Sequence, residues 1–139
     1  MINNTFYKHF LILFFLPILL GCSKPDAGEF IDKALKAEHR TPAYMERDKY
    51  RNPKETLLFF GLNPQQSVIE ITPGYGWYAE ILAPLISNKG QYYYTSLELH
   101  EKINPYFVKV EKAFKEKMKI SPDIYDQLRW VLSLIHISE

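Results

Sequence analysis

The stretch IEITPGYGWYAEI, residues 69–81, runs from β-branched residues into a turn with two glycines and then into a helical pattern. Val68-Ile69-Glu70-Ile71 reads as a strand, and Trp77 to Leu85 as a helix with Ile81, Leu82 and Leu85 on one side. Glu70 is the odd residue, because a carboxylate inside an apolar strand is costly to bury unless it is paired or hydrogen-bonded. It is expected at the carboxyl end of the strand, facing a polar cleft, the edge of an open α/β sheet where ligands bind. Of the two glycines, one permits a positive φ and the other lets the backbone approach a ligand with no side chain in the way. The helix start adds free N–H groups and a positive dipole end that suit a carboxylate or phosphate. A plain tight turn also uses glycine, so the neighbouring residues decide what this one is for.

Downstream, Asn88-Lys89-Gly90 breaks the chain and Gln91-Tyr92-Tyr93-Tyr94-Thr95-Ser96-Leu97-Glu98 reads as the next parallel strand, ending on an acid. Glu98 lies 22 residues past Gly76, a separation at which a carboxylate reaches ribose hydroxyls in either of two ligand classes, and a surface Glu after a strand is as common. Gly74, Gly76 and Ala79 satisfy the G-x-G-x-x-G/A pattern of dinucleotide enzymes. Against that, such a strand usually opens its domain, whereas about forty residues of helical pattern come first here.

In that upstream part, Phe30, Ile31, Ala34 and Leu35 place one apolar stripe on a short helix, ended by Thr41-Pro42. Asn52-Pro53 reads as a second helix start, with Asn52 as cap, Glu55 in the first turn, Leu57 to Phe60 as the buried part and Gly61 closing it. Arg47, Asp48 and Arg51 read most simply as a solvated or salt-bridged surface.

The two segments RDKYRNPKETLLFFGLNP and VIEITPGYGWYAEILAP together resemble the class I S-adenosylmethionine-dependent methyltransferase-like proteins of bacteria that carry export signals. The likeness runs from about His39 to Glu98. Pro-Gly-x-Gly-Trp-Tyr followed by Glu-Ile-Leu-Ala-Pro carries far more information than a lone glycine loop. The resemblance implies an α/β fold, namely the N-terminal part of a Rossmann-like class I methyltransferase domain: its first two parallel strands plus flanking helices. It implies S-adenosylmethionine as cofactor, its methionine part at Gly74 and Gly76, Glu70 as the motif acid and Glu98 at the ribose. The candidate cofactor-binding set is therefore Glu70, Thr72, Gly74, Gly76, Trp77 and Glu98. Thr72 departs from the family pattern, which has its first glycine there. S-adenosylmethionine is made in the cytosol, which keeps open a second reading, a non-catalytic envelope protein for ligand binding or interaction with a degenerate cofactor turn. A dinucleotide-binding oxidoreductase is the third.

Beyond Glu98, Asn104-Pro105 opens another helix whose stripe is Phe107, Val110, Phe114 and Met118. Five lysines and two glutamates between Lys109 and Lys119 read as its solvated face. A third strand is expected to begin near Asp126. LSLIHISE, residues 132–139, resembles a translated sequencing-adapter tail and is set aside from fold reasoning. The partial domain then covers residues 29–131, and a class I methyltransferase would continue past it with the residues that choose the methyl acceptor. No catalytic base is assigned. His39 and His100 have no Cys, Asp or Glu at metal-ligand spacing, so no metal is expected. A net charge of +1, with 24% charged residues, suggests no nucleic-acid partner.

The first residues are a separate object. Lys8 precedes an apolar run from Phe10 to Leu20, too short for the ~20 residues of a membrane span and interrupted by Pro17. Residues 1–21 read as a signal peptide. Leu19-Leu20-Gly21-Cys22 resembles a bacterial lipobox, which implies lipid attachment at Cys22, the sole cysteine of the chain, and a tether over residues 22–28. Ser23 beside it resembles the pattern sent to an outer membrane, so the expected location is the cell envelope, periplasm-facing. Labelled palmitate is expected in the protein expressed in a bacterial host and absent from Cys22→Ala; equal labelling of both would remove the lipoprotein reading.

Overall fold

The computed structural model describes residues 26–86, 90–96 and 104–132. Cys22 and Glu98 lie outside them, as do the leader and residues 133–139. Along the chain the elements are α1 (Ala27–Leu35), α2 (Pro42–Met45), α3 (Asp48–Arg51), α4 (Pro53–Phe59), β1 (Val68–Glu70), α5 (Ala79–Ile86), β2 (Tyr92–Ser96), α6 (Pro105–Ile120), α7 (Pro122–Tyr125) and β3 (Arg129–Leu132). The strands form one parallel sheet in the order β1-β2-β3. Parallel strands cannot be joined by hairpins, so each needs a crossover, and α5 and α6 supply them. The chain is thus mixed α/β, and the third strand is present, starting three residues beyond Asp126 and taking in Leu132.

Register explains which side of the sheet is covered. Val68 and Glu70 align with Tyr92 and Tyr94, and residues level with one another in neighbouring strands share a face. That face is packed by α5 and α6: Tyr92 is fully buried, and the ring of Tyr94 meets Phe114 of α6 edge-on, centroids 5.3 Å apart. The core continues through Ala79, Ile81, Leu82 and Ile86 of α5 to Ile31 and Ala34 of α1. On the opposite side Ile69 is 56% exposed, and Ile71, just beyond the strand, is 68% exposed.

Helix boundaries follow the local chemistry only in part: α1 stops at Leu35, short of Thr41-Pro42, and α5 starts at Ala79 instead of Trp77. Asn104 accepts from the backbone N–H of Tyr106 at 2.9 Å, and Pro105 fills the first helical position of α6. Asn52 does not cap α4. It takes a left-handed conformation (φ 44°) and makes no capping bond, serving instead as the corner between α3 and α4. The apolar run that ends α4 is also not buried as a block. Pro53 and Leu57, four apart on one side, face the core, while Phe59 is 85% and Phe60 74% exposed. The helix is only two turns long, so three consecutive residues cannot share its inner side.

The lysine face of α6 is not uniformly solvated either. Lys117 turns inward to Glu80 of α5, at 2.6 Å. Glu80 is 1% exposed and also accepts from the Thr41 backbone N–H (2.9 Å) and hydroxyl (2.6 Å). Its backbone carbonyl lies 2.8 Å from the His39 ring. One buried carboxylate therefore joins the segment before β1, the helix after β1 and the helix after β2.

Three residues of the turn after β1 have positive φ: Thr72 (56°), Gly74 (61°) and Gly76 (82°). A β-branched residue there is a strained outlier, whereas glycine adopts it freely. The two glycines differ in surroundings. A Cβ on Gly74 would meet nothing within 4 Å, but one on Gly76 would lie 2.7 Å from the Phe114 ring. Gly76→Ala is expected to cost about 2–4 kcal/mol from overpacking plus the left-handed backbone, and Gly74→Ala only about 1 kcal/mol. Thr72→Gly should relieve strain and raise stability by roughly 1 kcal/mol. Urea midpoints of the three variants check the order; equal losses at both glycines would contradict the packing described.

Candidate functional site

In a parallel sheet all strand ends of one kind lie on one edge, and the carboxyl edge here carries Glu70, the turn 71–78 and Ser96. Glu70 stands at the last position of β1, as the sequence places it, but instead of facing a polar cleft it is half-buried on the covered face of the sheet. Its carboxylate accepts a short hydrogen bond from the Tyr92 hydroxyl, which is how an acid is tolerated on an apolar face. Burial pushes its pKa up to about 7, against the opposing pull of the Tyr92 hydrogen bond and the positive charge of Arg51. Deep burial, and after it the charge and hydrogen bond of Glu70, hold the Tyr92 phenol well above its ordinary range. At neutral pH Glu70 is thus poised between a charged acceptor and a neutral donor.

Thr72 stands where the family pattern has glycine and adopts the glycine's conformation. Its N–H donates to Thr95 Oγ1 of β2 at 3.0 Å, fixing the first residue of the turn to the neighbouring strand. Gly74 forms the open crest. Gly76 closes the turn through its N–H to the Pro73 carbonyl, 2.9 Å, and is buried. The close approach expected of a ligand at one glycine is made at Gly76 by Phe114, leaving Gly74 as the glycine with free space beside it.

Trp77 is buried and belongs to the turn, because α5 begins two residues later, at Ala79. Its indole N–H donates to the Tyr44 carbonyl at 2.9 Å, and the Tyr44 hydroxyl donates to the Tyr75 carbonyl at 3.2 Å. Lys117 lies 4.4 Å from the centre of the Tyr44 ring. On its outer side Trp77 is covered by the Arg51 guanidinium, 4.4 Å from the ring centre, which also stands 5.8 Å from the ring of Tyr78. Such cation–π stacking is worth roughly 0.5–2 kcal/mol. The turn is therefore clamped from behind by residues 39–51, the segment that precedes the strand.

Of the sequence-derived set, Glu70, Thr72, Gly74, Gly76 and Trp77 come together on this edge, and Glu98 lies outside the described residues. Sequence reasoning missed Thr41, Tyr44, Glu80, Tyr92 and Lys117. Glu80 reads as an ordinary acid in the first turn of a helix, where the dipole favours it. Its flanking by Ala79 and Ile81, both destined for the core, was the available signal. Among the described residues no group of three His, Cys, Asp or Glu could hold a metal ion, and no helix is long and apolar enough to cross a membrane.

The raised pKa of Glu70 has a consequence for stability. The folded state keeps its proton up to about pH 7, while the unfolded chain releases it near the ordinary value of about 4.3. Stability from this group is thus full below that value and is lost as pH rises to 7. Glu70→Gln is expected to flatten the decline between pH 4.5 and 7.5, measured as urea midpoints; an unchanged slope would show that Glu70 ionises freely.

No protein-family profile matches the chain, and no curated protein or solved structure matches it.

Proposed function

We propose that the chain belongs to an exported, lipid-anchored protein of the class I S-adenosylmethionine-dependent methyltransferase type, with the turn 72–76 as its cofactor cradle. One observation carries this reading: the acid at the end of β1 is followed by left-handed residues at 72, 74 and 76, the alternation that the glycines of such a turn are there to permit. The parallel order β1-β2-β3 and the crossover helices on one face support a Rossmann-like arrangement. The free space beside Gly74 fits a ligand chain passing over the crest. When bound, S-adenosylmethionine supplies an electrophilic methyl group. The residues of this chain bind and orient: Gly74 presents backbone, Glu70 faces the cationic end and Glu98 reaches the ribose. In this reading the methyl acceptor is unassigned, and the sheet side at Ile69 and Ile71 is exposed among the described residues. Multiple acylation of Cys22 tethers the whole to the envelope, since a single chain gives only reversible binding.

A second reading is favoured by Thr72. A strained threonine where glycine is free is what a fold retained for binding alone tolerates, and an exported protein meets little of a cytosolic cofactor. Titration calorimetry of the full-length natural protein with S-adenosylhomocysteine is expected to give saturable binding that Gly74→Asp abolishes. Binding unaffected by Gly74→Asp would move the ligand away from this turn. Absence of binding by the unaltered protein would leave the non-catalytic envelope reading.

A further inference from the structure

Three consecutive apolar residues around the end of α4 stand outside the core. Leu58 is 40%, Phe59 85% and Phe60 74% exposed, and the two rings meet edge-on, centroids 5.6 Å apart. An exposed apolar run of this kind is unfavourable in water and belongs to surfaces that contact something else. The way the helix ends holds it out. Gly61 takes φ 65°, its N–H donates to the Leu58 carbonyl at 2.9 Å, and the Leu62 N–H reaches back to the Leu57 carbonyl, also at 2.9 Å. This is a glycine-closed helix stop, and Leu57 and Leu62 on either side of the run are buried. With both flanks fixed in the core, residues 58–60 are presented outward on a closed turn.

The surface is small for a protein partner. Taking about 200 Å² for a phenylalanine, the two rings expose roughly 300 Å², against about 800 Å² per partner in a standard interface. A bilayer sets no such requirement and takes up isolated apolar side chains, provided that something else holds the protein there. The expected anchor supplies that hold. Cys22 lies four residues before Asp26, the first described residue, and four residues of chain reach at most about 14 Å. Lipid on Cys22 therefore keeps the start of α1 at the membrane surface. Helix α4 crosses α1 at that start: a Cβ on Gly28 would lie 3.7 Å from Lys54 Cε, and Lys54 pairs with Asp32 at 2.6 Å. Phe59 follows Lys54 by five residues, about 8 Å of helix.

We propose that Phe59 and Phe60 insert into the lipid bilayer to which Cys22 is attached, a second contact that turns one fixed side of the domain, the side of α4, toward the membrane. The inference rests on the lipid anchor given under Proposed function and adds to it the surface that lies on the bilayer. It is independent of the cofactor reading.

The test places p-benzoylphenylalanine, a photoreactive phenylalanine, at position 59, at position 60 or, as a control, at the exposed position of Glu116, in the full-length natural protein expressed with its leader in a bacterial host. Phe59 and Phe60 are exposed, so the replacement sits outside the core. The purified protein is reconstituted into vesicles of phosphatidylethanolamine and phosphatidylglycerol, illuminated, and its photoadducts are identified by mass spectrometry. Phospholipid adducts are expected at 59 and 60 and absent at 116. Adducts at 59 and 60 to protein alone, whether to this chain or to a second copy, or no adducts there at all, would mean that the rings do not enter the bilayer. Equal phospholipid adducts at 116 would mean that no side of the domain is selected. Each of these results overturns the inference. The same spectra report the acylation of Cys22: acylated Cys22 without phospholipid adducts at 59 and 60 leaves the anchor standing and removes the inference alone, whereas unmodified Cys22 removes both.

Discussion

The carboxylate of Glu80 is the constraint on which the rest of the structure depends. It is buried and cannot stay charged there without partners, since an unpaired buried charge costs several kcal/mol. Thr41 and Lys117 provide them. Satisfying Glu80 brings residues 39–41 against α5 and swings α6 across the same side of the sheet, which seats Phe114 over Gly76 and against Tyr94. An apolar side chain at position 80 would specify none of these approaches. Hydrophobic burial drives association, and hydrogen-bonded charge selects the arrangement.

The turn after β1 is shaped by the same arrangement. Its residues are held from three directions: Thr95 of β2 binds the Thr72 N–H, Tyr44 is bonded to both Tyr75 and Trp77, and Phe114 fills the side of Gly76. What is left free is the crest at Gly74, where an added side chain would meet nothing within 4 Å. A binding surface made of backbone needs this kind of support, because a loop without it would have to be ordered at the expense of ligand affinity.

Much of this was legible in the sequence. The β-branched run before the glycines fixed β1, and the spacing of Asn88-Lys89-Gly90 from the next aromatic run fixed β2. Asn104-Pro105 marked the start of α6 to the residue. The strand-end position of Glu70 was legible too, but not its burial against the Tyr92 hydroxyl. Other features could not be read. Asn52 looks like a cap because asparagine suits both caps and left-handed corners, and only the direction of the preceding short helix α3 decides between them. Phe59 and Phe60 look buried because local pattern gives hydrophobicity without saying how many turns of helix reach the core. Lys117 and Thr41 are invisible as partners of Glu80, since a pair separated by nearly forty residues leaves no trace in spacing.

That separation has a kinetic side. Glu80 lies 39 residues from Thr41 and 37 from Lys117, so its coordination is complete only after two long loops of chain have closed, each at an entropic cost that local helices do not meet. Contacts of this range slow folding. The glycine turn can bend early, because its residues need only themselves to do so, but it gains its rigid backing late, when α6 docks. The carboxyl edge of β1 would thus be among the last parts of the chain to acquire its final form and, on heating, among the first to lose it.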